Sequence, residues 1–346
     1  MKSILSITAW ILLLLLGVSS CKNANRTEII GCFPAEHLPE YITPLTPYGQ
    51  RVEWALDNKG VYFVDKAGGN VFYSDIATKE ITQITDSTMH PKEYGYYRVF
   101  ALSNGDLLFT CGPERHDAYA QIMKKGTGKI HNLNEKMDEG PTISRTDMKI
   151  VWTPDQQVIY SGMIVINEDS SNIIDKTLII DNDSVVVDGI KYEGILESQN
   201  FIRPEEVEFT WTQYGNTEAG LFTSEVMTYN LETGVITNHS KSPTEYSEPE
   251  GIFPDGKSTL IECDAHCHLG IKQIDIYRMK LDGSGEIMER LTHFNDIEGY
   301  KGSNPVVSDD GKYIAFQSAY AKAAAGQGCG LYLLDLEKFK QNTTQL

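Results

Sequence analysis

The chain has 346 residues, of which 41% are hydrophobic and 23% charged, a composition typical of a globular protein rather than a disordered one. Asp and Glu outnumber Lys and Arg by 48 to 30, which gives a formal net charge of −18. A chain this acidic is not expected to bind nucleic acid, or to adhere to an anionic lipid surface through charge alone.

The N-terminus has the layout of a signal peptide. The stretch from Ile4 to Gly17 is almost wholly apolar and shorter than the ~20 residues that a membrane-spanning helix needs. The next residues, Val18-Ser-Ser-Cys21, resemble the lipobox of bacterial lipoproteins. The resemblance implies a signal peptide at 1–20, acylation of Cys21 and a short tether at 21–27. We therefore expect a protein of the bacterial cell envelope, on the periplasmic or surface side, that contacts a membrane only through its lipid anchor. A soluble secreted protein is the alternative.

The other cysteines predict no disulfide framework, because five irregularly spaced thiols remain once Cys21 is set aside. Most of them are expected to be buried as small apolar side chains. A bond between Cys263 and Cys267 stays open, although a loop this small would constrain the unfolded chain little.

One pattern recurs six times: a short apolar strand, a tight turn rich in Asp, Asn or Gly, a second strand, a loop and two further strands. The clearest copies are Glu250–Ile261 and Asn304–Phe316. Successive turns are spaced as the four-stranded blades of a propeller are. The turns fall at Gly60, Gly105, Asp147, Glu205, Gly256 and Gly311. The sequence therefore predicts an all-β, six-bladed β-propeller of antiparallel blades, forming a single domain over residues 28–346.

The turns Phe253-Pro-Asp-Gly-Lys257 and Ser308-Asp-Asp-Gly-Lys312 resemble the Ser-Pro-Asp-Gly-Lys turn of TolB-type β-propellers. The match is good in two repeats, partial in three and poor around Pro204. The resemblance implies six or seven blades, often in the cell envelope. Members of this class include binding proteins, assembly partners, peptidase-associated propellers and pectin-degrading lyases, so the function depends on the site.

The last repeat lacks a fourth strand. Beyond Leu336 the C-terminus ends in Lys340–Leu346, which is polar and short for a paired strand. We expect the missing strand to come from residues 28–45, so that the N-terminal segment closes the ring and leaves only short sheet edges.

In a propeller the first strand of each blade lines the central channel. The loop before that strand and the loop between the second and third strands open on one face, here called the top face. These loops predict a ligand-binding mouth. Its residues are Arg115, His116, Glu139, Glu248, Glu250 and Asn304. The opposite, bottom face carries tight turns, which are expected to be too short to form a pocket.

The segment Glu262–His268 contains several side chains able to bind a metal. In an extended loop His266 and His268 would point the same way, and Glu250 could supply a third ligand. No recognised ligand spacing is present, so no cofactor is expected, and a divalent metal is the alternative.

No residue is assigned as catalytic, because the sequence lacks a Gly-x-Ser-x-Gly elbow, a phosphate-binding loop and a dinucleotide fingerprint. The leading interpretation is a non-catalytic propeller that binds a ligand or an envelope protein, with a glycan or a partner in glycan uptake as candidates. The alternative is a metal-assisted lyase acting on an acidic saccharide, in which Arg115 clamps a carboxylate. Its candidate ligands or base are His90, His116, His266 and His268. Convergence of three or more of these histidines would favour the enzyme, and scatter would favour binding.

Overall fold

The computed structural model describes residues 38–192, 194–215 and 222–343. The predicted signal peptide, Cys21 and the tether lie outside these residues. Within the described part of the chain, no helix is both long and apolar enough to span a membrane.

The chain forms a six-bladed β-propeller, in which each blade is a four-stranded antiparallel sheet. Strand β1 (Ile42–Thr46) precedes the blades. Blade one contains β2 (Gln50–Trp54), β3 (Gly60–Val64), β4 (Val71–Asp75) and β5 (Ile81–Gln83); blade two contains β6 (Tyr96–Ala101), β7 (Leu107–Cys111), β8 (Tyr119–Met123) and β9 (Ile130–Lys136). Blade three contains β10 (Thr142–Ile143), β11 (Lys149–Trp152), β12 (Val158–Ile166) and β13 (Ser171–Asp181), followed by a small hairpin of β14 (Val186–Val187) and β15 (Ile190–Lys191). Blade four contains β16 (Leu196–Phe201), β17 (Glu208–Tyr214), β18 (Ser224–Asn230) and β19 (Ile236–Asn238); blade five contains β20 (Ser247–Ile252), β21 (Ser258–Cys263), β22 (Asp275–Lys280) and β23 (Ile287–Arg290). Blade six contains β24 (Tyr300–Val307), β25 (Tyr313–Tyr320) and β26 (Leu331–Asp335).

The core lies between neighbouring blades. Every residue of β7 and of β21 is buried, because a second strand is covered on both faces by the adjacent blades. Aromatic side chains on second strands fill the space between blades. They include Phe63, Phe109, Phe209 and Phe316, all fully buried. Burial of each such ring stabilises the fold by roughly 1.5–3 kcal/mol.

The N-terminal segment closes the ring, as predicted. Strand β1 pairs antiparallel with β26, with Ile42 opposite Leu334, and supplies the outer strand of blade six. After β26 the chain forms a helix that was not predicted from the sequence, α1 (Leu336–Thr343). Its Phe339 ring packs edge-on against Tyr41, with ring centroids 5.1 Å apart. The helix therefore holds the closing strand in place by apolar contact.

The turn between β16 and β17 of blade four coincides with the poor match to the repeat around Pro204. The Arg203–Pro204 peptide bond is cis, and Glu206 has a left-handed φ of 52°. The Glu206 carboxylate is fully buried and accepts hydrogen bonds from Arg145 N at 2.9 Å and Thr146 Oγ1 at 2.7 Å. This turn therefore fixes blade four to blade three.

An ion-pair network spans the axis at the bottom face. Arg145 of blade three donates to Glu53 Oε1 of blade one at 2.9 Å and to Asp309 Oδ2 of blade six at 2.7 Å. Arg203 of blade four also pairs with Asp309. Blades three and six are opposite each other in a ring of six, so this network crosses the end of the channel.

The expectation that the bottom face forms no pocket is wrong. A groove of about 460 Å³ lies between blades one and two, and its lining includes Leu56, Tyr62, Tyr73 and Met123. The individual turns are short, but the space belongs to two adjacent blades and does not depend on the length of either turn.

The bond between Cys263 and Cys267, left open by the sequence, is not formed. Cys263 and Cys267 are free thiols, as is Cys111, whereas Cys329 is disulfide-bonded. Cys267 Sγ donates to the Gln273 carbonyl at 3.3 Å and is thereby held in its own loop.

Candidate functional site

A polar cavity of about 280 Å³ lies on the propeller axis at the top face. All six blades contribute to its lining. The Arg, Lys, His and Glu residues of the lining are Arg51, Arg98, Arg115, His116, Glu139, Glu197, Glu248, Glu250, Glu262 and Lys301. Its volume corresponds to about nine water molecules at ~30 Å³ each. The cavity is thus large enough for a small ligand.

Bulges in the innermost strands direct side chains toward the axis. The pairing register shifts between Gln50 and Glu53 in β2, and between Pro249 and Gly251 in β20. A third shift, in β24, contains Asn304. Arg51 and Asn304 have left-handed φ values of 56° and 47°. Because a bulge re-aims the residue that it leaves unpaired, side chains of consecutive positions can reach the cavity.

One side of the cavity, here called the arginine wall, consists of Arg51, Arg98 and Arg115 around Glu139. The Glu139 carboxylate lies 2.9 Å from Arg51 Nη1, 2.5 Å from Arg115 Nε and 3.7 Å from Arg98 Nη2. Burial alone would raise the pKa of Glu139, but the three guanidinium groups outweigh it and lower the pKa to about 2. Three positive charges therefore surround one permanently negative group.

His116 extends the arginine wall to the cavity mouth. Arg115 Nη2 lies 2.8 Å from His116 Nε2, and because a guanidinium only donates, Nε2 is the acceptor. His116 Nδ1 then donates to Asp138 Oδ1 at 2.5 Å. Arg115 Nη1 also donates to the Ala325 carbonyl at 3.0 Å. These contacts position the Arg115 guanidinium at the mouth.

The opposite side, here called the acidic wall, consists of Glu197, Glu248, Glu250 and Glu262. All four are buried, and burial is the largest of the effects that raise their pKa values. The pKa of Glu262 is raised to about 7, and that of Glu197 is raised further by the nearby carboxylates of Glu139 and Glu248. The wall is therefore a set of crowded carboxyl groups in a desolvated place.

Two tyrosines support the acidic wall. The Tyr214 hydroxyl lies 3.1 Å from Glu197 Oε2 and 3.2 Å from Glu248 Oε1, and the Tyr246 hydroxyl donates to Glu248 Oε2. Phe222 packs on Tyr214 with ring centroids 4.7 Å apart and also lines the cavity. The cavity thus has an aromatic patch beside its carboxylates.

Asn304 and Lys301 of β24 complete the acidic wall. Asn304 Nδ2 donates to Glu250 Oε1 at 3.1 Å, and its backbone N–H donates to Glu262 Oε1 at 2.6 Å. The Lys301 ammonium donates to the Ile271 carbonyl at 3.3 Å, and burial lowers its pKa.

The structure brings all six predicted ligand-binding residues to this one cavity. These are Arg115, His116, Glu139, Glu248, Glu250 and Asn304. Their role in binding stays a prediction. Arg51, Arg98 and Lys301 were not predicted as site residues, because they lie on strands, where register and bulges decide which side chains face the axis. Glu262 was considered only as part of the His-rich loop. The position of the turn between β20 and β21 nevertheless predicts that Glu262 of β21 pairs with Glu248 of β20.

The structure does not bring the predicted metal ligands His266 and His268 together. Cys267 N and His268 N both donate to the Asp264 carbonyl at 2.8 Å, so the loop is a turn and the expectation for an extended loop is wrong. His266 Nδ1 and Nε2 lie 2.8 Å from the Tyr277 hydroxyl and Asn295 Oδ1. His268 is exposed and has a left-handed φ of 56°. Neither histidine lines the cavity.

His90 is also remote from the cavity, with Nδ1 2.7 Å from the Pro91 carbonyl and Nε2 3.2 Å from Asn70 Oδ1. Of the four candidate histidines only His116 lines the cavity. In the part of the chain that the structure describes, these histidines are therefore scattered.

No family model matches the sequence, and a comparison with curated proteins finds no match. Solved structures do resemble the fold. TolB from Acinetobacter baumannii has a TM-score of 0.50 at 11% identity, covering 83% of this chain and 63% of TolB. The chain therefore matches less than two thirds of the length of TolB.

Two other propellers are similar over most of both chains. The gluconolactonase XC5397 from Xanthomonas campestris has a TM-score of 0.53 at 12% identity, covering 85% of this chain and 89% of that one. A regucalcin from Agrobacterium tumefaciens, described as a calcium-binding protein, has a TM-score of 0.51 at 11% identity, covering 84% and 90%. At these identities the similarity establishes the β-propeller fold and leaves the function to be argued from the cavity.

Proposed function

We propose that this protein is a binding protein that takes a small acidic saccharide, or the acidic end of one, into the axial cavity. The observation that supports this most is the division of the cavity into two walls of opposite character. Three guanidinium groups face one carboxylate on one side, and four carboxyl groups lie on the other. A sugar acid carries one carboxylate and several hydroxyl groups, which match the two walls.

The arginine wall favours an anionic group. Among the described residues, Glu139 is the one carboxylate that forms ion pairs with these three guanidinium groups. Burial and the charge of Arg51 lower the pKa of Arg98 even though nearby glutamates oppose the lowering, so a further anion would be stabilised there. Arginine forks also bind carboxylates in two-point geometry. Of the three arginines in this wall, Arg115 has the most exposed side chain, at 27%, and is the first that an entering ligand would meet.

The acidic wall favours hydroxyl donors. Carboxylate oxygens accept hydrogen bonds from sugar hydroxyls, and the Phe222 ring, which packs on the buried Tyr214, offers an apolar surface for the face of a pyranose. A volume of about 280 Å³ is close to the lower limit of ~300 Å³ for ligand pockets. This volume suits one sugar unit, and the Arg145 network at the bottom face opposes threading of a polymer.

The scatter of the four candidate histidines favours binding over the lyase alternative. A metal-assisted lyase built on them would need at least three converging ligands, and His116 alone lines the cavity. The proposal therefore assigns no catalytic residue.

Galacturonate is expected to bind more tightly than galactose, which has the same ring and hydroxyls except for the carboxylate. The Arg115→Gln variant should weaken galacturonate binding about tenfold or more, because a hydrogen bond to a charged group contributes about 1.5–3 kcal/mol. Calorimetric titration in buffer with EDTA measures the affinities of the wild type for the two sugars and of the variant for galacturonate. The matched control is His268→Ala, an exposed top-face residue outside the cavity, which should bind normally. Equal affinity for the two sugars, or unchanged binding by the Arg115→Gln variant, would contradict the proposal.

We also propose that the protein is held in the cell envelope by acylation of Cys21, on the strength of the lipobox-like Val18-Ser-Ser-Cys21. The mature N-terminus is then expected to be a diacylglycerol-modified cysteine, which mass spectrometry of the protein from membranes detects. The Cys21→Ala variant should lose the modification and leave the membrane fraction. A free Cys21 thiol in the membrane-derived protein would contradict the anchor.

A further inference from the structure

Three carboxylates of the acidic wall converge on one point. Glu248, Glu250 and Glu262 each offer an oxygen, and these three oxygens all lie within 4.8 Å of one another. Their side chains are buried, at 8%, 7% and 5% exposure. Like charges this close repel strongly in a desolvated place, and the neighbouring positive side chains of Lys301 and Arg98 offset this repulsion only in part.

Asn304 adds an independent observation. Its side chain lines the same cavity and is only 7% exposed, and its Oδ1 has no hydrogen-bond partner among the described residues. The Nδ2 group is committed to Glu250, which fixes the orientation of the amide. A buried carbonyl oxygen without a donor costs free energy unless something else fills the position. A cation bound by the three carboxylates would supply the missing partner of Asn304 Oδ1.

We propose that Glu248, Glu250, Glu262 and Asn304 Oδ1 bind a divalent cation of the Ca²⁺ type on the acidic wall. The donor set consists of carboxylate and amide oxygens alone, which hard cations prefer. The inference does not rest on the proposed function, because cation binding needs no saccharide.

The surrounding contacts leave ligand oxygens available. Asn304 donates to Oε1 of both Glu250 and Glu262, and the second oxygen of each carboxylate accepts no hydrogen bond from the described residues. The Glu248 carboxylate is held in place by Tyr214, Tyr246 and Gln199. Such outer contacts orient ligands in metal sites.

The donor set favours the larger cation. Ca²⁺ takes carboxylate and amide carbonyl oxygens in a flexible geometry, whereas Mg²⁺ usually binds through few protein carboxylates and keeps several water ligands. Three buried carboxylates and one buried amide oxygen therefore fit Ca²⁺ better. Mg²⁺ also demands a stricter geometry and loses water reluctantly.

The test is calorimetric titration of the full chain, first stripped with EDTA and desalted, with CaCl₂ and with MgCl₂ in the absence of saccharide. Ca²⁺ is expected to bind with one site per chain, and Mg²⁺ about tenfold more weakly or worse. Glu250→Gln and Glu262→Gln should each weaken Ca²⁺ binding about tenfold or more, because each removes one ligand charge. The matched control His268→Ala removes a residue of the alternative metal loop and should bind Ca²⁺ normally.

A Ca²⁺-dependent rise in melting temperature, present in the wild type and reduced in both Gln variants, provides the second readout. The proposal is overturned if millimolar Ca²⁺ gives neither heat nor a melting shift in the wild type. It is also overturned if the Gln variants, folded by circular dichroism, bind like the wild type, or if Mg²⁺ binds equally well. Because the saccharide titrations contain EDTA, failure of either proposal leaves the other measurable.

Discussion

Replacing Arg145 with alanine is expected to reduce the free energy of unfolding by about 3–5 kcal/mol, the usual cost of removing one partner from a buried ionic network. Arg145 joins Glu53 of blade one and Asp309 of blade six across the axis, and its side chain is only 12% exposed. Its loss leaves Glu53 without the guanidinium that contacts it and leaves Asp309 with Arg203 alone. Urea denaturation of wild type and variant at neutral pH measures the difference.

The matched control for this experiment is Lys129→Ala, which removes an exposed ion pair with Asp169 at 2.6 Å. Exposed pairs contribute at most about 1 kcal/mol, so this variant should unfold close to the wild type. A loss below about 1 kcal/mol in the Arg145→Ala variant would show that the network does not stabilise the bottom of the ring.

The second large effect is expected from pH acting on His239. This side chain is 5% exposed; Gly283 N–H donates to its Nδ1 at 3.1 Å, and its Nε2 lies 2.9 Å from Thr228 Oγ1. Because Nδ1 must accept, the ring is neutral in the folded protein. Burial lowers the pKa of His239 from 6.5 to about 4. The unfolded chain therefore binds the proton more readily than the folded one between these values.

The stability gained by keeping His239 neutral is therefore complete above pH 6.5 and is lost as the pH falls toward 4. A lowering of about 2.5 pKa units corresponds to about 3 kcal/mol at 1.36 kcal/mol per unit. Because carboxylates titrate in the same range, the useful quantity is the difference between the wild type and His239→Gln, measured by urea denaturation at several pH values. The variant should lose less stability on acidification, and identical pH profiles would contradict the assignment.

The sequence predicted the ring because its turns carry local information. Asp255-Gly256 and Asp310-Gly311 place glycine where the backbone needs a left-handed φ, of 66° and 68°, and their recurrence at blade spacing indicates the architecture. Ring closure by β1 was also predictable, because the last repeat lacked one strand. Helix α1 was not, since eight mostly polar residues form it through two apolar contacts, Leu336 and Phe339.

The site was predictable only in part. Loop positions such as Arg115 and Glu139 follow from the topology, which brings loop residues to the channel mouth. Arg51 and Glu262, which pairs with Glu248, lie on strands, where bulges and register decide the direction of each side chain. The Arg145 network could not be predicted from the sequence either, because its members come from four blades and only the closed ring brings them together.

The location of a bound ligand tests the assignment of the axial cavity most directly. A crystal structure of the full chain soaked with galacturonate is expected to show the ligand in that cavity, with its carboxylate against Arg115 or Arg98 and its hydroxyls toward the acidic wall. Galacturonate bound instead in the groove between blades one and two, or an empty axial cavity in crystals soaked at a concentration that saturates the protein in solution, would contradict it.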